Sequence, residues 1–253
     1  MHNLKPKKYL GQHFLTDQQI ASRIVHTLEA GPEKMVIEIG PGEGVLTHML
    51  VDRYEQLTVL EVDPDAVTYL HQRFAKARVH IRQVDVLKWP IGDELQTPAH
   101  FIGNLPYNIS SPIFFQLLEH RDKVAEGVFM IQKEVGLRIC APKGNKTYGI
   151  LSVLLGAYFD LEYKFSVPPT VFRPPPKVDS AVIRLSRKAN PPTIAFKTLK
   201  RVVKLAFNQR RKTLRNALKS LNLPDFEGKE EMMKLRAEQL GVEEFVHLAQ
   251  LIS

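Results

Sequence analysis

The feature that most restricts the fold is a repeated alternation of short apolar runs with helix-patterned segments over the first 187 residues. Met35–Ile39, Thr58–Val62, Val79–Val84, a run beginning His100–Ile102 and Gly127–Gln132 have the length and composition of strands. The segments between them carry helical spacing. One is Pro112–His120, with Ser111 as its cap and Pro112 in its first turn. Asp17–Leu28 is expected to be another, with Thr16 and Gln19 as a capping box and Leu15 and Ile20 as a staple. Strands separated by helices pair in parallel, because each crossover returns the chain to the same end of the sheet. Tyr158–Val167 and Ser180–Arg187 read as two late strands. The expected class is therefore α/β, a mostly parallel seven-stranded sheet with helices on both faces.

Seven of the 17 prolines fall between Pro168 and Pro192, and only helical patterns follow. This punctuation divides the chain into an α/β domain, 1–187, and a small all-α domain, 188–253. The second domain holds an unusual charge run. Lys197–Lys219 contains nine basic residues and no acidic one, in a chain whose net charge is +8. Apolar residues recur there at near-helical spacing, so one face buries while the other carries Lys200, Lys204, Arg210, Arg211, Lys212 and Arg215. Such a face neutralises phosphates and makes binding salt-dependent. A solvated helix face is the alternative, and the lack of acids favours nucleic acid.

Several chemistries find no support. Cys140 is the single cysteine, so no internal disulfide forms; a reducing, cytoplasmic setting and a buried thiol are expected. The amino end lacks the apolar run of a secretory signal. The longest apolar stretch, Ile150–Phe159, is half the roughly 20 residues that a membrane span needs, and is expected in the core. Nine scattered histidines form no His-Glu-x-x-His pattern, so no metal site is expected. A Gly-x-Ser-x-Gly elbow is also missing, which argues against acyl transfer.

Three strand ends suggest a ligand site. Glu38-Ile39-Gly40-Pro41-Gly42-Glu43-Gly44 follows the first strand, and Gly40 and Gly42 let backbone approach a ligand closely. Val45 stands where a dinucleotide fingerprint has its last glycine, which weakens a nicotinamide reading. Alone, this stretch reads equally well as a tight turn. Glu61 ends the next strand, where an acid can accept from ribose hydroxyls. Asp63 is assigned to helix capping. Asp85 ends the third strand and is placed to receive an adenine amino group, or is simply a solvated acid. A backbone approach with two such acceptors suits an adenosyl ligand without phosphates, of which S-adenosylmethionine is the obvious one.

Asn104-Leu105-Pro106-Tyr107 follows the fourth strand. An exocyclic base amine is a poor nucleophile, since its lone pair is delocalised into the ring. The Asn104 side-chain carbonyl and the Leu105 backbone carbonyl can accept its hydrogens and aim the nitrogen at a methyl donor. Tyr107 can stack on the base. Phe172 heads the rigid segment Phe172–Lys177 and can supply the second face of a clamp, with Arg173 and Lys177 near phosphates. A polyproline connector is the competing reading of that segment.

These pieces occur together in one known family. GQHFL (Gly11–Leu15), EIGPGEGVLT (Glu38–Thr47), LEVD (Leu60–Asp63), NLPYNISSP (Asn104–Pro112), MIQKEV (Met130–Val135), YGILSV (Tyr148–Val153) and FRPPPKVDSAV (Phe172–Val182) resemble, in this order, the ribosomal RNA adenine N6-dimethyltransferases. The resemblance runs from Tyr9 to about Leu218. It implies a Rossmann-like class I methyltransferase fold and S-adenosylmethionine as donor. It adds His13 and Leu15 as cofactor contacts beside Gly40, Glu61, Asp85 and Asn104, and makes Tyr107 and Phe172 the base clamp. His13 stands where many relatives have Asn. AFNQRRKTLRNAL (Ala206–Leu218) resembles the small-subunit branch of the family. That branch implies two adjacent adenines in the 3′-terminal hairpin of 16S rRNA as substrate, within an immature 30S subunit, and a monomeric enzyme. The alternatives are the large-subunit branch tied to antibiotic resistance and a non-catalytic assembly factor.

Overall fold

The computed structural model describes residues 4–252. The outer limits of the two expected domains, and part of the amino end read for a signal, fall on residues 1–3 and 253, outside the described residues. The chain forms two compact units, one of residues 4–136 with 162–186, the other of 137–161 with 187–252.

Nine strands are present in chain order: β1 (Phe14–Leu15), β2 (Met35–Ile39), β3 (Gln56–Glu61), β4 (His80–Gln83), β5 (Ala99–Asn104), β6 (Val124–Gln132), β7 (Phe159–Val167), β8 (Phe172–Arg173) and β9 (Ser180–Arg187). Seven make one sheet in the order β4-β3-β2-β5-β6-β9-β7, and β1 pairs with β8 in a separate two-stranded ribbon. The pairs β2–β3, β3–β4, β2–β5 and β5–β6 are parallel, while β6–β9 is antiparallel. From β2 the chain moves outward to β3 and β4, then returns to lay β5 on the other side of β2. The carboxyl ends of β2 and β5 therefore open a crevice at the point where strand order reverses.

The helices of the first unit are α1 (Gln18–Thr27), α2 (Val45–Leu50), α3 (Pro64–Arg73), α4 (Ile91–Glu94), α5 (Ser110–Glu119) and most of α6 (Lys133–Ile139). Alternate strand residues Val36, Val59, Ile102 and Val128 meet Ala21, Ile24, Leu28 and Leu50 of α1, α2 and the turn after α1 in one apolar cluster. The opposite set points away, and there Phe129 meets Phe114 of α5 edge-on at 5.5 Å. Strand Met35–Ile39 matches its sequence reading residue for residue.

Two caps differ from expectation. Asp17, not Thr16, caps α1: its carboxylate accepts from the backbone N–H of Gln19 and Ile20. Thr16 instead donates its hydroxyl hydrogen to the Val171 carbonyl, because β1–β8 pairing draws it toward the 168–173 segment. Likewise α5 begins at Ser110, with Ile109 at the cap position and no side-chain cap, so Ser111 lies inside the helix.

The second unit contains α7 (Ile150–Tyr158), α8 (Phe196–Asn208), α9 (Leu214–Ala217), α10 (Lys229–Lys234) and α11 (Val242–Gln250). Residues Leu151–Leu155 are all buried, and α7 packs on α8 and α11. Thus 137–161 lies with the helical unit, whereas the sequence reading kept it in 1–187. A helix apolar on every side must be covered all round, and its neighbours come from distant sequence. The basic segment also differs: it breaks after Asn208, so Arg210, Arg211 and Lys212 occupy a turn rather than a continuous helical face. No helix among the described residues is long and apolar enough to cross a membrane.

Gly103 sits where β5 passes β2. A Cβ there would lie 2.4 Å from the Ile39 carbonyl oxygen, which is backbone and cannot swing aside. Gly103→Ala should therefore cost about 1–3 kcal/mol, the usual range for overpacking, measured by denaturant unfolding. An unchanged unfolding midpoint would show that the two strands separate freely at this point.

Candidate functional site

The crevice is walled by the turn after β2, the ends of β3 and β4, the loop after β5 and the amino-terminal segment. All of these belong to the first unit. His13, Leu15, Gly40, Gly42, Glu61, Asp85, Asn104, Leu105 and Tyr107 all line it. The sequence-derived cofactor set and three of the four catalytic candidates are thus brought together.

Gly40 has φ +67°, a left-handed conformation that favours glycine. A Cβ on it would meet nothing closer than the Asn104 carbonyl at 3.8 Å, so its bare backbone faces open space. Gly42 acts differently. Its N–H donates to Glu61 Oε2 at 3.2 Å, and a Cβ would strike the Phe14 ring at 2.9 Å.

Glu61 also accepts from the N–H groups of Val62 and Asp63, at 2.8 and 2.9 Å on Oε1. Three of a carboxylate's roughly four lone-pair positions are then filled, and the remaining one is on Oε2. Asp63 caps α3 through the Asp65 N–H, as the sequence suggests, and additionally receives Lys7 and Gln12. Asp85 caps a short 3₁₀ turn through the Leu87 N–H at 3.0 Å and keeps a place on the wall.

Burial pushes the Glu61 carboxyl above its ordinary range despite those three donors. Glu38, absent from the sequence-derived set, lies on the same wall with 1% exposure. Burial pushes its carboxyl up to about 8, against the lowering effect of the Thr47 hydroxyl, which donates to Oε2 at 2.6 Å; repulsion from Glu61 adds to the rise. The signal for it was available, because a charged residue inside the apolar run MVIEI must face something polar. Glu43, Glu61 and Asp85 also line the crevice and offer carboxylate oxygens to a cationic ligand, whereas Glu38 stays protonated up to about pH 8.

Asn104 donates from Nδ2 to the His13 carbonyl at 2.9 Å. A carbonyl only accepts, so this contact fixes the amide's orientation and leaves Oδ1 as the acceptor. The Leu105 N–H is taken by the Met130 carbonyl at 3.0 Å, which holds the loop to the end of β6. Tyr107 is anchored twice. Its hydroxyl bonds the Ser180 hydroxyl at 2.6 Å, and its ring stacks on His13 at 5.5 Å and 27°. Burial raises the Tyr107 hydroxyl pKa, which keeps it protonated. His13 Nδ1 in turn donates to the Pro174 carbonyl at 2.7 Å. His13 and Ser180 thus hold Tyr107 in place; for Ser180 the sequence offered only its place at a strand start.

The structure does not bring Phe172 to the crevice. It is 4% exposed and packs in the apolar cluster with Leu15. The register Leu15↔Phe172 explains this, since directly paired residues project from the same side of a ribbon. The second face opposite Tyr107 is therefore not Phe172 in this conformation, and Tyr107 has His13 as its aromatic neighbour. Arg173, one position on, forms an ion pair with Glu43 at 2.5 Å.

Of the other expected phosphate contacts, Lys177 is exposed. In the second unit Arg210 bonds the Lys146 carbonyl and lies 3.5 Å from Glu238, and Arg215 pairs with Glu230. Arg211 and Lys212 are exposed and have no ion partner among the described residues. No cluster of metal-binding side chains occurs among the described residues.

Comparison with known proteins places this geometry. A family model described as "Ribosomal RNA adenine dimethylase" matches residues 3–253. The chain is 48% identical to "Ribosomal RNA small subunit methyltransferase A" of Flavobacterium johnsoniae, over all of this chain and 97% of that protein. It is also 48% identical to the protein of that name from Cytophaga hutchinsonii, over 100% and 99%. Among solved structures, a dimethyladenosine transferase from Plasmodium falciparum superposes with TM-score 0.81 at 24% identity, covering 93% of this chain and 96% of that one. The 23S rRNA methyltransferase ErmE gives 0.77 at 26% identity, covering 94% and 99%.

Glu38 provides a test of the site's electrostatics. Its folded-state pKa lies above the unfolded value of 4.5, so the native protein retains a proton that the unfolded chain releases. Stability from this group is complete below about pH 4.5 and is lost as pH rises toward 8. Glu38→Gln, which cannot ionise, should match the parent near pH 5 and exceed its melting temperature by several degrees at pH 8. Calorimetry across that range checks it; a pH-independent difference would contradict the raised pKa.

Proposed function

The chain belongs to the ribosomal RNA adenine dimethylase family, and from that premise we propose that it transfers methyl groups from S-adenosylmethionine to N6 of two adjacent adenines near the 3′ end of 16S rRNA. The observation that carries this reading is the oriented Asn104 amide. Its Nδ2 is spent on His13, so Oδ1 is available to accept from an adenine amine beside a crevice suited to an adenosyl cation.

The residues present fit that cofactor. Gly40 offers bare backbone, Glu61 Oε2 has one lone pair for a ribose hydroxyl, and Asp85 would accept from the adenine amino group. Glu61 and Asp85 supply acceptor oxygens for a ligand carrying sulfonium and ammonium charge, while the neighbouring Glu38 keeps its proton up to about pH 8. When bound, S-adenosylmethionine supplies an electrophilic methyl group.

The chain's own contribution is alignment and charge. Asn104 Oδ1 and the Leu105 carbonyl accept the two amine hydrogens, which favours a pyramidal nitrogen whose lone pair is withdrawn from the ring π-system and aimed at the donor. Tyr107, pinned by Ser180 and His13, presents its free face to the extruded base. Its π-electrons stabilise the positive charge that grows on the alkylated nitrogen. That amine then becomes acidic, so its proton passes to solvent without a dedicated base. A first methyl leaves one N–H, which one of these two acceptors holds so that the nitrogen is aligned for a second transfer.

An immature 30S subunit is the proposed partner, with the protein acting as a monomer in the cytoplasm. Residues 188–253 supply the proposed RNA contacts. Arg211 and Lys212 carry this role rather than Arg210 and Arg215, which are already paired with acids. The large-subunit reading is less favoured: the relatives at 48% identity are named for the small subunit.

Asn104→Ala should reduce methyl transfer at least a hundredfold while S-adenosylmethionine affinity stays within severalfold. Transfer is read with labelled cofactor on under-methylated small-subunit particles, and affinity by calorimetry. Equal turnover by variant and parent would remove Asn104 from the reaction. Replacing Arg211 and Lys212 together by Ala should lower the salt slope of particle binding by about 1.5, the value for two lost phosphate contacts. An unchanged slope would return both to plain surface.

A further inference from the structure

Tyr9 is the most exposed large apolar residue among those described, at 76%, yet it lies on the wall of the crevice. It sits in a 3₁₀ turn, Lys8–Leu10, that Gly11 closes with φ 66°. This turn is held at both ends. Lys7 Nζ reaches Asp63 at 2.5 Å and Asp65 at 2.7 Å, and Gln12 donates to Asp63 at 3.1 Å. Lys7 N–H donates to Gln12 Oε1 at 2.8 Å, which closes the turn on itself. Gly11 abuts the loop after β5, where a Cβ would lie 2.8 Å from Asn108 Oδ1. The turn thus spans the mouth from the end of β3 to the loop that carries Asn104 and Tyr107.

Fixing a largely exposed aromatic ring on an immobilised turn contributes little to folding, because most of its surface stays in water. The arrangement instead removes in advance the ordering cost of binding something flat. Lys5 and Lys8 precede Tyr9 in the chain, both exposed and without an acidic partner among the described residues, whereas Lys7 between them is neutralised by two carboxylates. An aromatic face with two uncompensated cations is the recognition chemistry of a single-stranded nucleotide, with its base stacked and its phosphates paired.

We propose that Tyr9 is a stacking platform for an unpaired nucleotide flanking the target adenine, with Lys5 and Lys8 on the adjacent phosphates. This rests on the methyl-transfer reading of the crevice and adds a second base contact outside it. Tyr9 stands at the mouth with 76% of its surface exposed, where RNA entering the crevice can reach the ring.

The test compares Tyr9→Ala, Tyr9→Phe and the double variant Lys5→Gln/Lys8→Gln with the parent, on under-methylated small-subunit particles. Tyr9→Ala should raise KM for particles about tenfold, the usual loss for one stacked base. S-adenosylmethionine affinity by calorimetry and kcat at saturating particles should stay within twofold. Tyr9→Phe should restore KM to within threefold of the parent, since the ring and not the hydroxyl stacks. The lysine variant should lower the salt slope of particle binding by about 1.5. An unchanged KM in Tyr9→Ala overturns the proposal. So does a matching loss of cofactor affinity, which would assign the ring to covering the cofactor. If the parent transfers no methyl group, the reading of the crevice fails by itself. Particle affinities of the parent and Tyr9→Ala then still decide for or against the platform.

Discussion

Everything at the site depends on the reversal of strand order about β2. The chain leaves β2 in one direction and comes back to β5 on the other side, so the turns following these two neighbours diverge. The end of β2 stays paired with β3 and the end of β5 with β6, so the segments that leave them part from one another. Gly103 and Ile39 bring the two strands into close contact just below the opening. The glycine-rich turn thereby faces the Asn104 loop across a short gap, and the two halves of the proposed chemistry are placed by one feature of topology.

What the sheet brings near, hydrogen bonds then orient. The amino-terminal segment threads between the walls. Its Lys7 meets Asp63, its His13 carbonyl meets Asn104, and its Phe14–Leu15 pairs with Phe172–Arg173. His13 alone joins three segments through a backbone acceptor, a ring nitrogen and a stacked face. Such a site is rigid before any ligand arrives, which is how alignment lowers a barrier. The acids work against stability, since Glu38 and Glu61 are buried with raised pKa values. A protein that keeps such groups in its core gives up stability to place polar groups at a site.

Much of this was legible because local and global signals agree. Met35–Ile39 is a strand by pattern, bounded by Lys34 and Gly40, and nothing distant competes for it. Gly40, Glu61, Asp85 and Asn104 stand at or just after the ends of successive strands, so a parallel sheet carries all four to one edge. The misses share one cause, a partner far away in sequence. Thr16 and Asp17 are both good caps, and only the contact with Val171 decides between them. Phe172 has the right chemistry for a clamp, but its register with Leu15 turns the ring into the core. Apolar residues return in helical phase at Leu214, seven after Phe207, yet the helix stops at Asn208, and Arg210 bonds the carbonyl of Lys146. Ser180 shows no signal in its own neighbourhood, since its role exists only once β9 lies beside β6 and meets the Tyr107 hydroxyl.

The central claim is that this crevice aligns the N6 amine of an RNA adenine, and the modified nucleoside reports on it most directly. Protein, S-adenosylmethionine and small-subunit particles lacking the methyl groups are incubated, with naked 16S rRNA and large-subunit RNA in parallel. The RNA is digested to nucleosides and analysed by mass spectrometry. The account predicts N6,N6-dimethyladenosine from the small-subunit particles, approaching two per particle, and none from large-subunit RNA. Methylation at another atom or base, or no methylation of RNA that the protein binds tightly, would contradict it.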